Sequence, residues 1–324
     1  MKRFSAIAPA KINLTLHVSR KNETDEKHAV ETILQTITLH DTLNVSVPEN
    51  EKDTQEVINK RNRKINDAYG IKESTAQIIK CENIEVCIVV DDLTGQNIKI
   101  PISENLVQKA FISCAKKANF KDEMHIEVLL EKNIPLQAGL GGGSSDAAAA
   151  LIISKELFSL SDEDITEVAK ELGSDVVFFL KGGCALMGGD GSIFSKELRS
   201  KKMPIVLVRP ESGISTAEAY QKFDELDLPG STYVATSTQE EMCLHNDLQP
   251  VAKEMCPAVT DVLKLLSEAA GEENTLLCGS GSTCFAICES FEQSRKIASV
   301  AQENGYWTRA CSCVNMRATI KKGF

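Results

Sequence analysis

The sequence predicts an α+β protein of two domains, and three observations carry that reading. A chain of 324 residues with 42% hydrophobic and 25% charged residues can bury a large core. Apolar positions repeat with a period of two in some stretches and with a helical period in others. A new unit begins after Pro204 that mixes the two kinds without strict alternation, so the expected domains are 1–197 and 198–324.

The elements follow in order. Ile12, Leu14, Leu16 and Val18 alternate with Asn13, Thr15 and His17, which predicts a half-buried strand with one polar face. Residues 33–47 continue as a second apolar stretch ending at the turn-rich SVPEN. Residues 49–80 are dense in charge of both signs and poor in large apolar groups, so they read as a polar, partly mobile surface insertion. Leu106, Val107, Ala110, Phe111, Cys114 and Ala118 mark a helix, and Ile126, Val128 and Leu130 a strand. A helix after the glycine-rich segment ends near Phe158, and Ser161 with Asp164 forms a capping box for the next, closed by Gly173. VVFFL (176–180) and CALM (184–187) read as buried strands around the Gly182-Gly183 turn. In the second unit, IVLV is a strand, followed by a helix near 216–223 and another from Pro257 to Ala270. A strand at 284–288, a helix at 291–302 and a strand at 307–313 complete it.

Composition excludes several functions. The net charge of −10 argues against nucleic acid as a partner. No run of 18 apolar residues predicts a membrane span, and the alternating N-terminal segment with Lys11 reads as a strand and not a signal peptide. Eleven cysteines lie mostly in apolar runs, as buried thiols of a reducing cytoplasm do. Cys278, Cys284 and Cys288, and Cys311 with Cys313, lack paired C-x-x-C spacing and neighbouring histidines, which argues against zinc.

The segment NIPLQAGLGGGSSDAAAA (133–150) carries the most chemistry. Gly139, Gly141, Gly142 and Gly143 leave the backbone few steric limits after Pro135 and around Leu140. Ser144 and Ser145 then open a helix rich in alanine, their hydroxyls suited to capping free amides. Free amides and the positive dipole end at one spot favour phosphate. No Gly-Lys-Ser/Thr follows, so this is not a P-loop, and no G-x-G-x-x-G register fits. A plain turn before a helix is the competing reading.

Four segments, PAKINLTLHV (9–18), PLQAGLGGGSSDAA (135–148), LGSDVVFFL (172–180) and CGSGSTCF (278–285), together resemble the galactokinase, homoserine kinase, mevalonate kinase and phosphomevalonate kinase (GHMP) superfamily. PAKINL, the triple glycine and HNDL (245–248) are most similar to its 4-diphosphocytidyl-2-C-methyl-D-erythritol kinases, over nearly the whole chain apart from 49–80. The resemblance implies a two-domain α+β fold, with an N-terminal domain like the second domain of ribosomal protein S5 and a ferredoxin-like C-terminal domain. It implies ATP over the glycine loop, with Mg²⁺ held mainly by its phosphates, and a hydroxyl of a cytidine-diphosphate alcohol as acceptor.

Site residues carry over by motif. Asp175 matches the base that takes the hydroxyl proton, and Lys11 the lysine beside it. From the residues alone, Asp175 is equally a helix-end aspartate and Lys11 a solvated lysine on a strand. Asn13, Thr216, Tyr220 and His28 match substrate contacts, and Gly279, Ser280 and Gly281 form the third motif's loop. Where the family has D-G-Y-H, this chain reads Asp25-Glu26-Lys27-His28. The stacking tyrosine is therefore absent, a loss of about 1–3 kcal/mol if nothing replaces it. Lys27 offers a cation–π contact or a charge toward the diphosphate. Val177 replaces a proline, and Ser192 stands where a glutamate is usual, so no protein metal ligand is assigned. Asp146 suits the helix dipole, and Asn105 sits at a loose match to the adenine region. A kinase for another small alcohol (homoserine, mevalonate or a sugar) and a catalytically silent nucleotide-binding relative are the alternatives. Both monomer and homodimer remain open.

Overall fold

In the computed structural model, alternation along the strands builds two sheets, and the positions that alternate decide where each sheet packs. The structure describes the chain except for residues 22–27, 51, 55, 58, 60–75, 97, 232–242 and 322–324. The larger sheet has nine strands, with the path β13-β1-β2-β5-β4-β3 formed by Thr319–Ile320, Lys2–Val18, Val30–Val47, Met124–Lys132, Ile84–Asp92 and Gln77–Cys81. β6 (Cys184–Gly188) pairs with β2 and with β7 (Ile193–Leu198), and β9 (His245–Asn246) pairs with β1. β4 and β5 run parallel, whereas β1 and β2 form a long antiparallel pair.

Four helices cover one face of this sheet: α1 (Leu106–Lys117), α2 (Gly142–Phe158), α3 (Asp162–Leu172) and α4 (Ser174–Lys181). Val86 and Ile88, Ile126 and Val128, and Leu43 and Val45 alternate toward Phe111, Leu151 and Phe178 in one core. Ala147 to Ala150 are fully buried, and their small side chains let α2 lie close to its neighbours. The Ser161–Asp164 capping box is present, and Gly173 ends α3.

The smaller sheet has the order β10-β11-β8-β12, formed by Thr275–Leu277, Cys284–Ile287, Pro204–Arg209 and Trp307–Ser312. With α5 (Thr216–Glu225), α6 (Gln249–Met255), α7 (Ala258–Ala270) and α8 (Phe291–Glu303), this is the ferredoxin-like arrangement. Val206, Val208 and Ala286 face Val259, Val262 and Ile297 on these helices. Ile205, Leu207 and Phe285 point the other way, into a third core with Ile12 and Leu14 of β1, Ile37 of β2 and Leu140 of the glycine loop. The two sheets therefore meet through their strand faces, and the glycine loop is trapped at the joint.

Four sequence expectations need correction. Residues 176–180 belong to helix α4, not a strand. Their apolar run is continuous because the helix is buried, and period cannot separate that case from a buried strand. The first strand is not half-buried: Lys11, Asn13 and Thr15 are as enclosed as Ile12 and Leu14. Its polar face meets other protein, not water. Irregularities after Pro9 and after Asn13 allow it to serve all three cores in turn. Helix α2 begins at Gly142, two residues before the serines, which lie in its first turn and do not cap it. Finally, the C-terminal end of the 49–80 segment enters strand β3, and Val57 is buried.

Candidate active site

The glycine loop takes its form from close approach to two partners. Gly139 has φ +73°, and a Cβ there would sit 1.9 Å from the Cys278 carbonyl oxygen, so only glycine fits between this loop and the third motif. Gly141 has φ +71°, and its Cβ would meet the Phe179 ring at 2.8 Å. Gly142 is helical, yet its Cβ would lie 2.9 Å from Ile134. The loop's chain path is fixed from the second half of the molecule. Leu136 O accepts from Arg209 Nη2 (3.1 Å), Gln137 O from the Ile214 amide (3.3 Å) and Ala138 O from the Thr283 amide (3.4 Å). Pro135 and Leu140 are buried, and Leu140 O accepts from the Lys11 amide at 3.0 Å.

At the start of α2 no side chain caps the helix. The amides of Gly142, Gly143 and Ser144 have no acceptor within the helix, while the Ser145 amide already bonds Gly141 O. A Cβ on Gly143 would meet nothing within 4 Å, so that side of the loop is open. Three free donors, a positive dipole end and an open side fit a nucleotide's phosphates. The Ser145 hydroxyl is buried without a hydrogen-bond partner.

Beneath the loop lies a buried charge cluster that sequence reasoning missed. Lys132 Nζ donates to Asp41 Oδ2 (2.5 Å) and Asp146 Oδ2 (2.6 Å). Asp41 Oδ1 accepts from the Ile134 amide at 2.9 Å, which ties the strand end to the loop. Burial disfavours the charged form of Lys132, but the two carboxylates outweigh it and raise its pKa above the usual lysine range. Burial pushes the Asp146 carboxyl up to about 8, with Lys132 opposing. Lys132 therefore stays protonated and is the group holding this cluster together.

Lys11 and Asp175 come together at the mouth of the loop. Lys11 Nζ donates to Asn13 Oδ1 at 2.7 Å and lies 3.8 Å from Asp175 Oδ2. Asn13 Nδ2 donates in turn to Thr32 Oγ1 (2.8 Å), which fixes the amide's orientation. Asp175 occupies the first turn of α4, at the positive end of the helix dipole. Its side chain is 34% exposed against 5% for Lys11, so the carboxylate reaches the cleft and the ammonium backs it. Gly279 closes the other side, since a Cβ there would stand 3.2 Å from both Gly139 O and Lys11 Nζ.

The third motif is pinned by Asn246, whose Nδ2 donates to Leu277 O (2.9 Å) and Gly279 O (2.8 Å). The HNDL motif was the sequence signal for this residue. Ser280 Oγ lies 3.0 Å from Thr216 Oγ1, joining the motif to α5, and Gly281 has φ +91°. Burial pushes the Cys278 thiol up to about 12, so it is no nucleophile at neutral pH.

His28 is held against α5. Its ring stacks on Tyr220 (5.3 Å between centroids, 29°) and meets Phe223 edge-on. Nδ1 lies 2.9 Å from Ser19 O. Nε2 is 3.1 Å from Asp224 Oδ1 but out of line for a hydrogen bond. Tyr220, Phe223 and Asp224 share one helix face by their spacing. Burial first, and the Asp175 charge second, raise the Tyr220 phenol pKa. Lys27 lies outside the described residues. Asn105 caps α1 by accepting from the Val107 amide (3.1 Å) and donates to Gln77 Oε1, so its polar atoms already serve the fold. A cavity of about 420 Å³ lies elsewhere, along Arg3, Ser5, Asn44 and Glu131.

Residues 105–183 match the N-terminal domain of the GHMP kinases, and residues 235–306 match their C-terminal domain. A 4-diphosphocytidyl-2-C-methyl-D-erythritol kinase of Desulfitobacterium hafniense is 32% identical over 310 residues, covering 92% of each chain. The chain belongs to the GHMP kinases, among the 4-diphosphocytidyl-2-C-methyl-D-erythritol kinases. A second such relative of this GHMP kinase, from Pelotomaculum thermopropionicum, is 33% identical over 306 residues, covering 91% of this chain and 92% of its own. Among solved structures, a 4-(cytidine 5'-diphospho)-2C-methyl-D-erythritol kinase shares the fold with a TM-score of 0.65 at 24% identity, covering 99% of this chain and 100% of its own. A homoserine kinase from Cytophaga hutchinsonii shares it with a TM-score of 0.64 at 15% identity, covering 99% and 98%. No helix among the described residues of this GHMP kinase is long and apolar enough to cross a membrane.

Proposed function

We propose that this GHMP kinase transfers the γ-phosphate of ATP to a hydroxyl of 4-diphosphocytidyl-2-C-methyl-D-erythritol, in the supply of isoprenoid precursors. One observation carries the reading: the Lys11–Asp175 pair adjoins the glycine loop that opens α2, where a Cβ on Gly141 would stand 3.2 Å from Lys11 Cγ, and the Asp175 charge also acts on Tyr220, which stacks on His28. The phosphates rest on the Gly142, Gly143 and Ser144 amides. The acceptor hydroxyl gives its proton to Asp175 as its oxygen attacks the γ-phosphorus, and ADP leaves. Lys11, 3.8 Å from that carboxylate, steadies the developing negative oxygen. Mg²⁺ accompanies the nucleotide, held by phosphate oxygens and water.

The His28 imidazole edge and the Tyr220 ring suit a pyrimidine base. Thr216, one turn before Tyr220 on α5 and 3.0 Å from Ser280, is a further substrate contact in this reading, and Asn13 orients Lys11. The altered Asp25-Glu26-Lys27 segment favours a second reading, the same chemistry on another small alcohol. None of the eleven cysteines forms a disulfide, in keeping with action in the cytoplasm. The two readings separate in an assay of ADP release with Mg·ATP, comparing the cytidine compound with homoserine and mevalonate. Turnover with the cytidine compound alone is expected. Turnover with homoserine or mevalonate alone would replace the substrate while leaving the chemistry in place.

A further inference from the structure

Behind His28, where the end of β1, the short strand β9 and Ser231 converge, four polar side chains point at one spot. The backbone brings them there. β9 pairs in parallel with β1, Thr15 opposite His245 and Leu16 opposite Asn246, so that Asp247 falls beside His17. The Asp247 amide donates to Leu16 O and the Ser231 amide to Val18 O, both at 3.0 Å. His17, His245 and Asp247 each offer one ligand atom, and these atoms all lie within 4.8 Å of one another. The two imidazoles stack with centroids 4.5 Å apart and planes 14° from parallel. Ser231 Oγ lies 2.7 Å from His17 Nδ1, 3.3 Å from His245 Nε2 and 2.6 Å from Asp247 Oδ2.

This is not a serine nucleophile with a relay. His245 uses the same nitrogen, Nε2, toward Ser231 and toward Asp247 Oδ1 (2.7 Å), whereas a relay needs opposite nitrogens. Two imidazoles, a carboxylate and a hydroxyl or water are instead a zinc-type donor set. Bonds of about 2.0–2.1 Å to nitrogen place tetrahedral ligands about 3.3 Å apart, and because a bound ion lies in the plane of each imidazole, one of the two rings turns out of the stack on binding. We propose that His17, His245 and Asp247 bind a divalent transition-metal ion of zinc type, with Ser231 or water as the fourth donor. On binding, His245 moves its proton from Nε2 to Nδ1, and no group changes oxidation state. The ion clamps β9 and Ser231 to β1. One neighbour of the clamp, Ser19, holds His28, and another, Asn246, holds the third motif.

The test is a Co²⁺ titration of chelator-treated full-length protein carrying Cys243→Ser, followed by absorption and by Zn²⁺ competition. Wild type at the three ligands is expected to bind one equivalent with tetrahedral d–d bands and no thiolate charge-transfer band. His17→Gln and His245→Gln, each with unchanged circular dichroism, should weaken binding by more than about 100-fold. Zn²⁺ should raise the melting temperature of the unsubstituted protein and not of His17→Gln. Absence of binding, a thiolate band, or equal affinity in the folded variants would overturn the site. Kinase activity is not the readout, so the outcome is independent of the substrate assignment.

Discussion

The residue with most at stake beneath the glycine loop is Lys132. It is fully buried, and its charged contacts among the described residues are Asp41 and Asp146, themselves buried. Removing the cation from such a cluster leaves uncompensated buried charge, at a cost of about 3–5 kcal/mol. Lys132→Met should therefore lower unfolding stability by about that amount in urea titration, and a loss under about 1 kcal/mol would mean the cluster is not stabilised by its cation. This cluster was not legible in the sequence, because Lys132 and Asp41 are 91 residues apart and neither belongs to a recognisable motif. The glycine loop was legible from its own residues, whereas Lys11, Asp175 and Tyr220 were singled out only by the resemblance of their motifs to the GHMP kinases, since each alone has an ordinary structural reading. For Asn105 the spacing gave its place at the helix start, while its partner Gln77 came from a segment read as surface insertion.

Among the elements, local signals located those with strong caps or clean periods. The capping box opening α3 and the period of α1 appear at the residues the sequence indicated. Helix α4 escaped because a buried helix and a buried strand of eight residues share one apolar pattern. Strand β4 escaped because its partners determine it: it is parallel to β5, and its outer positions mix charged with apolar groups. That pair holds a pH-dependent contact. His125 lies opposite Glu85 in the register, with Nε2 2.8 Å from Glu127 and Nδ1 2.9 Å from Glu85. The Glu127 hydrogen bond, opposed by burial and aided by Glu85, raises the His125 pKa above its usual 6.5. A raised histidine contributes stability that is fully present below its unfolded pKa and is lost as pH rises through the folded value. His125→Gln should thus destabilise the protein by about 0.5–1 kcal/mol near pH 6, with the difference gone by about pH 9. An equal loss at both pH values, measured by thermal unfolding, would mean that packing and not charge decides the effect.

At the scale of the whole molecule, the site exists because two sheets share a core. Gly139 against Cys278 O, Gly279 against Lys11 and Asn246 against the third motif are contacts between distant segments, and no single stretch of sequence implies them. The order of four motifs nevertheless made the architecture legible, since together they fit one way of folding the chain. Strands β9 and β13 come from beyond residue 198 and complete the large sheet, so the second half of the chain also buttresses the first. In the function proposed above, nucleotide binding belongs to the loop and α2, while proton removal belongs to Asp175. The two roles come apart in Asp175→Asn, studied by ATP affinity and by single-turnover phosphate transfer to the cytidine-diphosphate alcohol. The expected result is ATP affinity like wild type with transfer slowed by about 10²–10⁴-fold. Transfer near the wild-type rate would remove Asp175 from the proton step and contradict the assignment of this site.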